Sequence, residues 1–269
     1  MEDKEGGNMG RIILIGATKG GVGKTVTTYN LAYSLTALGK KVLAVDFDGQ
    51  ANLTTCFGVE NTEKLPVTIG HLMMAKIEDE EIPESREYIM NRNGVDFIPS
   101  SMLLSAVDAR LRLEMGAEKM LASILEPLRD CYDVILIDTA PAVGALNINA
   151  LTAADEAIIT VNPQLLAMMG LVDFLKTAKK IKHRVNNRLE VSGILLTMCD
   201  TRTNLCKVIT EQVTDTFNGE IRIFTSKIPN TVRVGESIYY SKPLLEYSPE
   251  SKACEAYVEL AKEVLLNEG

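Results

Sequence analysis

A glycine-rich segment with two lysines, Lys19-Gly20-Gly21-Val22-Gly23-Lys24-Thr25, constrains this chain more than any other. Loops of the form G-x-x-x-x-G-K-[ST] cradle phosphates with backbone N–H groups, while the lysine reaches the β/γ oxygens. Thr18 stands at the first glycine position, so the strict pattern fails, and Lys19 is an additional cation. At the loop's opening its ammonium could face outward. A positive charge facing outward from a bound triphosphate invites a second molecule. Upstream, Arg11 to Ala17 is a short apolar run, as expected of a buried parallel strand. Downstream, Tyr29, Leu31, Ala32, Leu35 and Leu38 recur at roughly helical spacing, and Gly39 closes the segment as a C-cap would. Strand, glycine loop and helix form the expected context, because a helix N-terminus adds partial positive charge to a phosphate site.

The remaining elements alternate. Lys41–Asp46, Val95–Pro99, Asp133–Asp138, Glu156–Val161 and Val191–Thr197 read as strands, with Ile221–Phe224 as a further short one. Glu118–Arg129, Leu165–Lys182, Leu205–Phe217 and Ser251–Leu266 read as helices, and Leu65–Arg92 as short helices and loops. This pattern predicts an α/β fold, a doubly wound, mostly parallel sheet with helices on both faces. Residues 1–10 are polar, lack the apolar core of a secretion signal and read as a flexible tail; residues 11–269 read as one domain. No apolar stretch approaches the roughly 20 residues needed to span a bilayer. Five scattered cysteines without a C-x-x-C pair indicate reduced, cytosolic thiols rather than a disulfide framework or zinc site.

Two acidic sites complete the chemistry. Asp138 ends a strand of the sheet, and ligands bind beyond the carboxyl edge. An acid there can hold Mg²⁺, usually through water, while the Thr25 hydroxyl takes an inner position. Asp46 and Asp48 lie two residues apart in an extended segment, so both can aim at the phosphate pocket. One supports the metal shell, assigned to Asp46, and Asp48, farther along the loop, is the better placed to orient a water for in-line attack on the γ-phosphate.

Four segments carry a family resemblance: Lys19–Thr25, Val45–Asn52, Leu136–Pro141 and Ile228–Glu236. Together they resemble the markers of the ParA/Soj family, the deviant Walker ATPases of chromosome and plasmid partition. The resemblance implies a P-loop ATPase that binds ATP and Mg²⁺ through Lys19, Gly20, Gly21, Val22, Gly23, Lys24, Thr25 and Val26. It implies that Lys19 crosses to the partner's ATP in a nucleotide-sandwich homodimer, that Asp138 is the Walker B acid, and that Asp48 activates water. It places Arg202 and Arg233 on arginines used for non-specific DNA binding; Lys227 lies in the same basic stretch. A ParB-like centromere-binding partner would trigger hydrolysis and release from the nucleoid, with no membrane partner. Three departures stand out. Val26 replaces a frequent threonine, Gly49 replaces a proline and so should loosen the switch, and Asn230 replaces an arginine, which should weaken DNA binding.

The charge distribution adds an independent test. The net charge of −8 argues against a protein that is basic all over, yet Lys176–Lys242 carries twelve Lys/Arg against six Asp/Glu. A basic section on an acidic body suits a localised DNA face. Few aromatics flank it, so phosphate contact is the expected mode. The plain alternative is that Lys176, Lys179, Lys180, Lys182 and Arg184 form the solvated end of a helix. A MinD-like membrane-associated ATPase would need a basic amphipathic C-terminal helix, and Tyr257–Gly269 has more acid than base. An iron–sulfur ATPase would need cysteines able to share a cluster, and Cys131 has no convincing mate. A nucleotide-switch adaptor with little turnover stays open, since Asp48 need not support hydrolysis.

Overall fold

A computed structural model describes residues 9–17, 19–141, 144–164, 167–200, 202–217 and 219–266. Thr18 and residues 1–8 of the expected tail therefore lie outside the described residues. Along the chain run β1 (Arg11–Gly16), α1 (Lys24–Ala37), β2 (Val42–Phe47), α2 (Asn52–Cys56), α3 (Ile69–Ile77) and α4 (Ser85–Tyr88). Next come β3 (Met90–Arg92), β4 (Val95–Ile98), α5 (Leu103–Leu111), α6 (Met120–Leu125), β5 (Val134–Thr139) and α7 (Ala145–Ala153). The chain continues through β6 (Glu156–Val161), α8 (Ala167–Arg184), β7 (Glu190–Leu196), α9 (Asn204–Phe217), α10 (Val232–Tyr239), α11 (Leu244–Tyr247) and α12 (Lys252–Leu265). The strands form a seven-stranded sheet in the order β3-β4-β2-β5-β1-β6-β7. All neighbours are parallel except β3, which pairs antiparallel with β4 at the edge.

Side-chain alternation divides the core into two layers. Ile12 and Leu14 of β1 face a layer built with α3, α5, α6, α7, α8 and α9. Ile13 and Ile15 face the other, built with α1 and α12. Because both faces are covered, β1 and β5 read as continuous apolar runs rather than alternating ones. The doubly wound, mostly parallel architecture is the one the alternating elements predict.

Several details differ from the sequence reading. Ile221–Phe224 is not a strand. It makes one bridge to β7, with the Ile194 N–H donating to Arg222 O (2.8 Å) and the Phe224 N–H to Ile194 O (3.0 Å). The ladder stops because the next amides, of Thr225 and Ser226, donate to the Glu263 carboxylate of α12 at 2.9 and 2.7 Å. The helix expected over Glu118–Arg129 divides into α6 and a 3₁₀ segment, Glu126–Cys131, with Pro127, which lacks an N–H, in its first turn. The helix expected from Leu165 begins at Ala167 among the described residues. The tail boundary also moves: Gly10 is buried and donates its N–H to Arg129 O (3.2 Å), so it belongs to the folded body.

Arg129 anchors the amino edge of the sheet. Its guanidinium forks onto Asp155 at 2.7 and 2.9 Å and donates to Gly10 O at 2.7 Å, while Asp155 also accepts the Ile12 N–H at 2.8 Å. Removing one partner of such a buried pair strands the other charge. Arg129→Ala is therefore expected to lower unfolding free energy by about 3–5 kcal/mol in urea titrations; a change under about 1 kcal/mol would show that the pair is not a determinant of the edge.

Candidate nucleotide site

The glycine loop runs between β1 and α1 at the carboxyl edge of the sheet. Gly21 and Gly23 have φ of 70° and 78°, the left-handed region that L side chains avoid. Gly23 is the N-cap of α1, and among the described residues no side chain caps that helix. Its first-turn N–H groups are thus left for a ligand, and the helix dipole makes an anion the favoured one. Thr197, at the end of β7, donates its hydroxyl to Val22 O (2.8 Å) and ties the loop to the sheet. Sequence reasoning gave Thr197 no role; its place at a strand's carboxyl end was the available signal. Beside the loop lies an open cavity of about 460 Å³, also lined by Asp48, Asn52, Thr139 and Ile238. An adjoining apolar cavity of about 370 Å³ shares Gly23, Val26, Met198 and Ile238 with it and adds Pro229, Val234 and Tyr257. Val26 thus lines both.

The charges converge on this cavity. Lys24 is buried, and burial lowers its pKa against the opposing pull of Asp138 and Asp48. Asp46 and Asp138 are register partners on adjacent strands β2 and β5, and neither is more than 1% exposed. Burial, then the charge of Asp46, pushes the Asp138 carboxyl up to about 8. The Thr25 hydroxyl and the Lys24 ammonium oppose that shift, yet neither oxygen of Asp138 has a hydrogen-bond partner among the described residues.

Asp46 is different. Burial pushes it up to about 7 although the Thr54 hydroxyl and N–H and the Asp48 N–H all donate to it. Those bonds measure 2.6 and 2.7 Å to Oδ2 and 3.3 Å to Oδ1. Both oxygens of Asp46 are thus engaged by donors from its own chain. Asp138 is the carboxylate with oxygens to give. A buried, unpaired carboxylate beside a hydroxyl fits a divalent cation such as Mg²⁺, held directly or through water. Asp48 lines the cavity and accepts the Gln50 N–H at 2.9 Å. Gly49 is no open hinge: it is buried, and a Cβ there would lie 2.2 Å from the Ser105 hydroxyl of α5.

Lys19 stands apart from Lys24. It is exposed, and its ammonium donates to Gln164 Oε1 at 3.2 Å on the far side of the loop. The structure thus separates a buried cation that faces two carboxylates from an exposed one at the rim.

The basic residues do not form one face. Arg202, Lys227 and Arg233 lie on neighbouring segments, joined where the Cys199 N–H donates to Ile228 O (2.9 Å) and the Asn230 N–H to Cys199 O (3.1 Å). The lysines of α8 run toward the opposite, amino edge, where Lys182 pairs with Glu190 at the start of β7. The paired arginines are also committed: Arg202 forks onto Asp200 (2.8 and 2.9 Å), and Arg233 bonds Glu236 (3.1 Å). Aromatics do flank this region in space. Glu236 also accepts the Tyr247 hydroxyl (3.1 Å), and Tyr240 stacks on Tyr247 beside an exposed Tyr239. The sequence reading missed them because folding back through α11 brings them together.

Comparison with known proteins agrees with this geometry. An AAA domain family model matches residues 10–191. The sporulation initiation inhibitor protein Soj of Bacillus subtilis (strain 168) is 37% identical over 259 residues, 96% of this chain and 100% of that protein. The chromosome-partitioning ATPase Soj of Treponema pallidum (strain Nichols) is 33% identical over 261 residues, 97% of this chain and 99% of that one. Among solved structures, cobyrinic acid a,c-diamide synthase from Mycobacterium smegmatis, with bound ADP and magnesium, matches with a TM-score of 0.81. It is 29% identical and the match covers 96% of this chain and 94% of that one. Fold and loop together define a P-loop ATPase of the two-lysine kind. Within that class, the chain belongs to the ParA/Soj family of partition ATPases.

Lys24→Ala removes the buried cation without touching the loop backbone. A charged hydrogen bond of about 1.5–3 kcal/mol is lost, so affinity for a fluorescent ATP analogue should fall roughly 10- to 100-fold in equilibrium titration; unchanged affinity would remove Lys24 from the phosphate site.

Proposed function

We propose that this chain is an ATP-dependent DNA-partitioning ATPase that dimerises on ATP, binds DNA non-specifically and lets go on hydrolysis. The observation that carries the reading is the pair of lysines on one loop, one buried against Asp138 and one exposed at its rim. Lys24 and the uncapped amides of α1 would hold the β/γ-phosphates, and the apolar cavity beside Val26 suits the base. The Thr25 hydroxyl and Asp138 would hold the Mg²⁺ of the bound nucleotide, which supplies charge neutralisation at the phosphates. Asp48 orients the attacking water, and Lys19 leaves Gln164 to reach the triphosphate of a second copy. Catalysis is then mainly positioning and electrostatic stabilisation.

Arg202, Lys227 and Arg233, the last on α10, supply the DNA face, on segments that border the nucleotide cavities. A ParB-like centromere-binding protein is the expected stimulator of hydrolysis, and the nucleoid in the cytoplasm the expected location. The membrane reading has less support: the apolar face of α12 (Ala253, Tyr257, Leu260, Val264) is buried, with Tyr257 within 3.4 Å of the Thr27 hydroxyl of α1. No helix among the described residues is long and apolar enough to cross a membrane.

Two variants test the reading. With ATP and Mg²⁺, Lys19→Ala should elute as a monomer in size exclusion and lose DNA-stimulated turnover; a full-strength dimer with normal turnover would overturn the trans-acting lysine. Arg233→Glu should dimerise normally yet fail to retain duplex DNA on a filter. Retention equal to the parent chain would rule out this face.

A further inference from the structure

We infer that Thr54 is a positioning residue for hydrolysis, a buried latch that aims Asp48 by fixing Asp46. The inference rests on the reading of Asp48 as the residue that orients water.

The hydrogen-bond directions around Thr54 are determined by elimination. Its side chain is fully buried on the short helix α2, which follows the loop 48–51 after β2. Thr54 Oγ1 lies 2.9 Å from the Ser100 amide nitrogen at the end of β4, and an amide N–H can only donate. The hydroxyl therefore accepts there, and its single proton goes to Asp46 Oδ2 at 2.6 Å. The Thr54 N–H donates to the same oxygen at 2.7 Å. Two donors from one residue thus hold one carboxylate oxygen, and the third contact ties the assembly to the neighbouring strand.

This arrangement sets what Asp46 has left to offer. With Oδ2 occupied, Oδ1 accepts the Asp48 N–H at 3.3 Å, which fixes the backbone from which the Asp48 side chain departs. One oxygen of Asp48 is used in turn by the Gln50 N–H at 2.9 Å, and the other makes no hydrogen bond within the described chain. That remaining oxygen belongs to a side chain lining the nucleotide cavity. The relay runs from Ser100 through Thr54 and Asp46 to the amide of Asp48. No member of it except Asp48 lines that cavity, so Thr54 acts through other groups rather than on substrate.

A valine has the shape of threonine but neither gives nor takes a hydrogen bond. In Thr54→Val, Asp46 Oδ2 keeps only the backbone donor, the Ser100 N–H loses its acceptor, and the carboxylate is released to turn. Serine keeps the hydroxyl and drops only a methyl group. The test compares Thr54→Val, Thr54→Ser and Asp48→Ala in the full-length chain, measuring steady-state ATP turnover, fluorescent ATP-analogue affinity and melting temperature. Misplacing a reacting group by about 1 Å can cost 10²-fold, so kcat in Thr54→Val should fall on the order of 10- to 100-fold while analogue affinity holds. Thr54→Ser should restore turnover. Parental kcat in Thr54→Val would overturn the inference, as would a kcat loss in Thr54→Ser at an unchanged melting temperature. If Thr54→Val does not fold, Asp46→Asn takes its place, since an amide cannot accept at both positions as the carboxylate does: kcat should fall at unchanged analogue affinity, and parental kcat would overturn the inference. Full turnover in Asp48→Ala would instead sink the reading of Asp48, whatever the threonine variants do.

Discussion

Two carboxylates buried side by side in the middle of a parallel sheet are the constraint around which the rest is arranged. Asp46 and Asp138 are neighbours across β2 and β5, withdrawn from water, and like charges in that setting repel strongly. The chain answers each differently. Asp46 is surrounded by donors from its own loop, whereas Asp138 is left bare beside a buried ammonium. A sheet stabilised only for its own sake would have no reason to leave the second acid so. The incomplete compensation marks the place where a charged ligand contributes its part, and the uncapped start of α1 opens onto the same cavity.

The elements around this centre share work between layers. α5 touches the Asp48 loop and the start of α7, since Ser105 lies against Gly49 and Asp108 accepts the Leu146 N–H (3.2 Å). α10 has one side toward the apolar cavity, through Val234 and Ile238, and another toward solvent, through Val232, Arg233 and Tyr239. A change of occupant in the cavity therefore meets helices that also shape the outer surface, without any long connecting path.

Much of this was legible in the sequence. Continuous apolar runs marked the central strands, because a sheet covered on both faces removes the polar alternation that would otherwise blur them. The loop from Lys19 to Thr25 announced its phosphate chemistry through residue types that few other structures require. What escaped were features set by distant contacts. β3 has only three residues and exists because β4 is there to pair with it. Ile221–Phe224 had strand-like composition, but the amides that follow it were taken by Glu263 from the far end of the chain. Asp46 looked equivalent to Asp48, and only the packing of Thr54 shows that it is already engaged. The basic stretch looked like one patch because a linear count cannot register that α8 runs back against the strands.

The pairing of Arg202 with Asp200 and of Arg233 with Glu236 bears on what such a surface can choose. Each guanidinium already holds an internal anion, so a lone phosphate gains little by displacing it. On the DNA-binding reading proposed above, a duplex would offer closely spaced phosphates to both at once, and each contact would free condensed counterions from the polymer. Any anion that reaches either arginine must first displace a carboxylate of its own chain, which weights this surface toward ligands able to engage both guanidiniums at once.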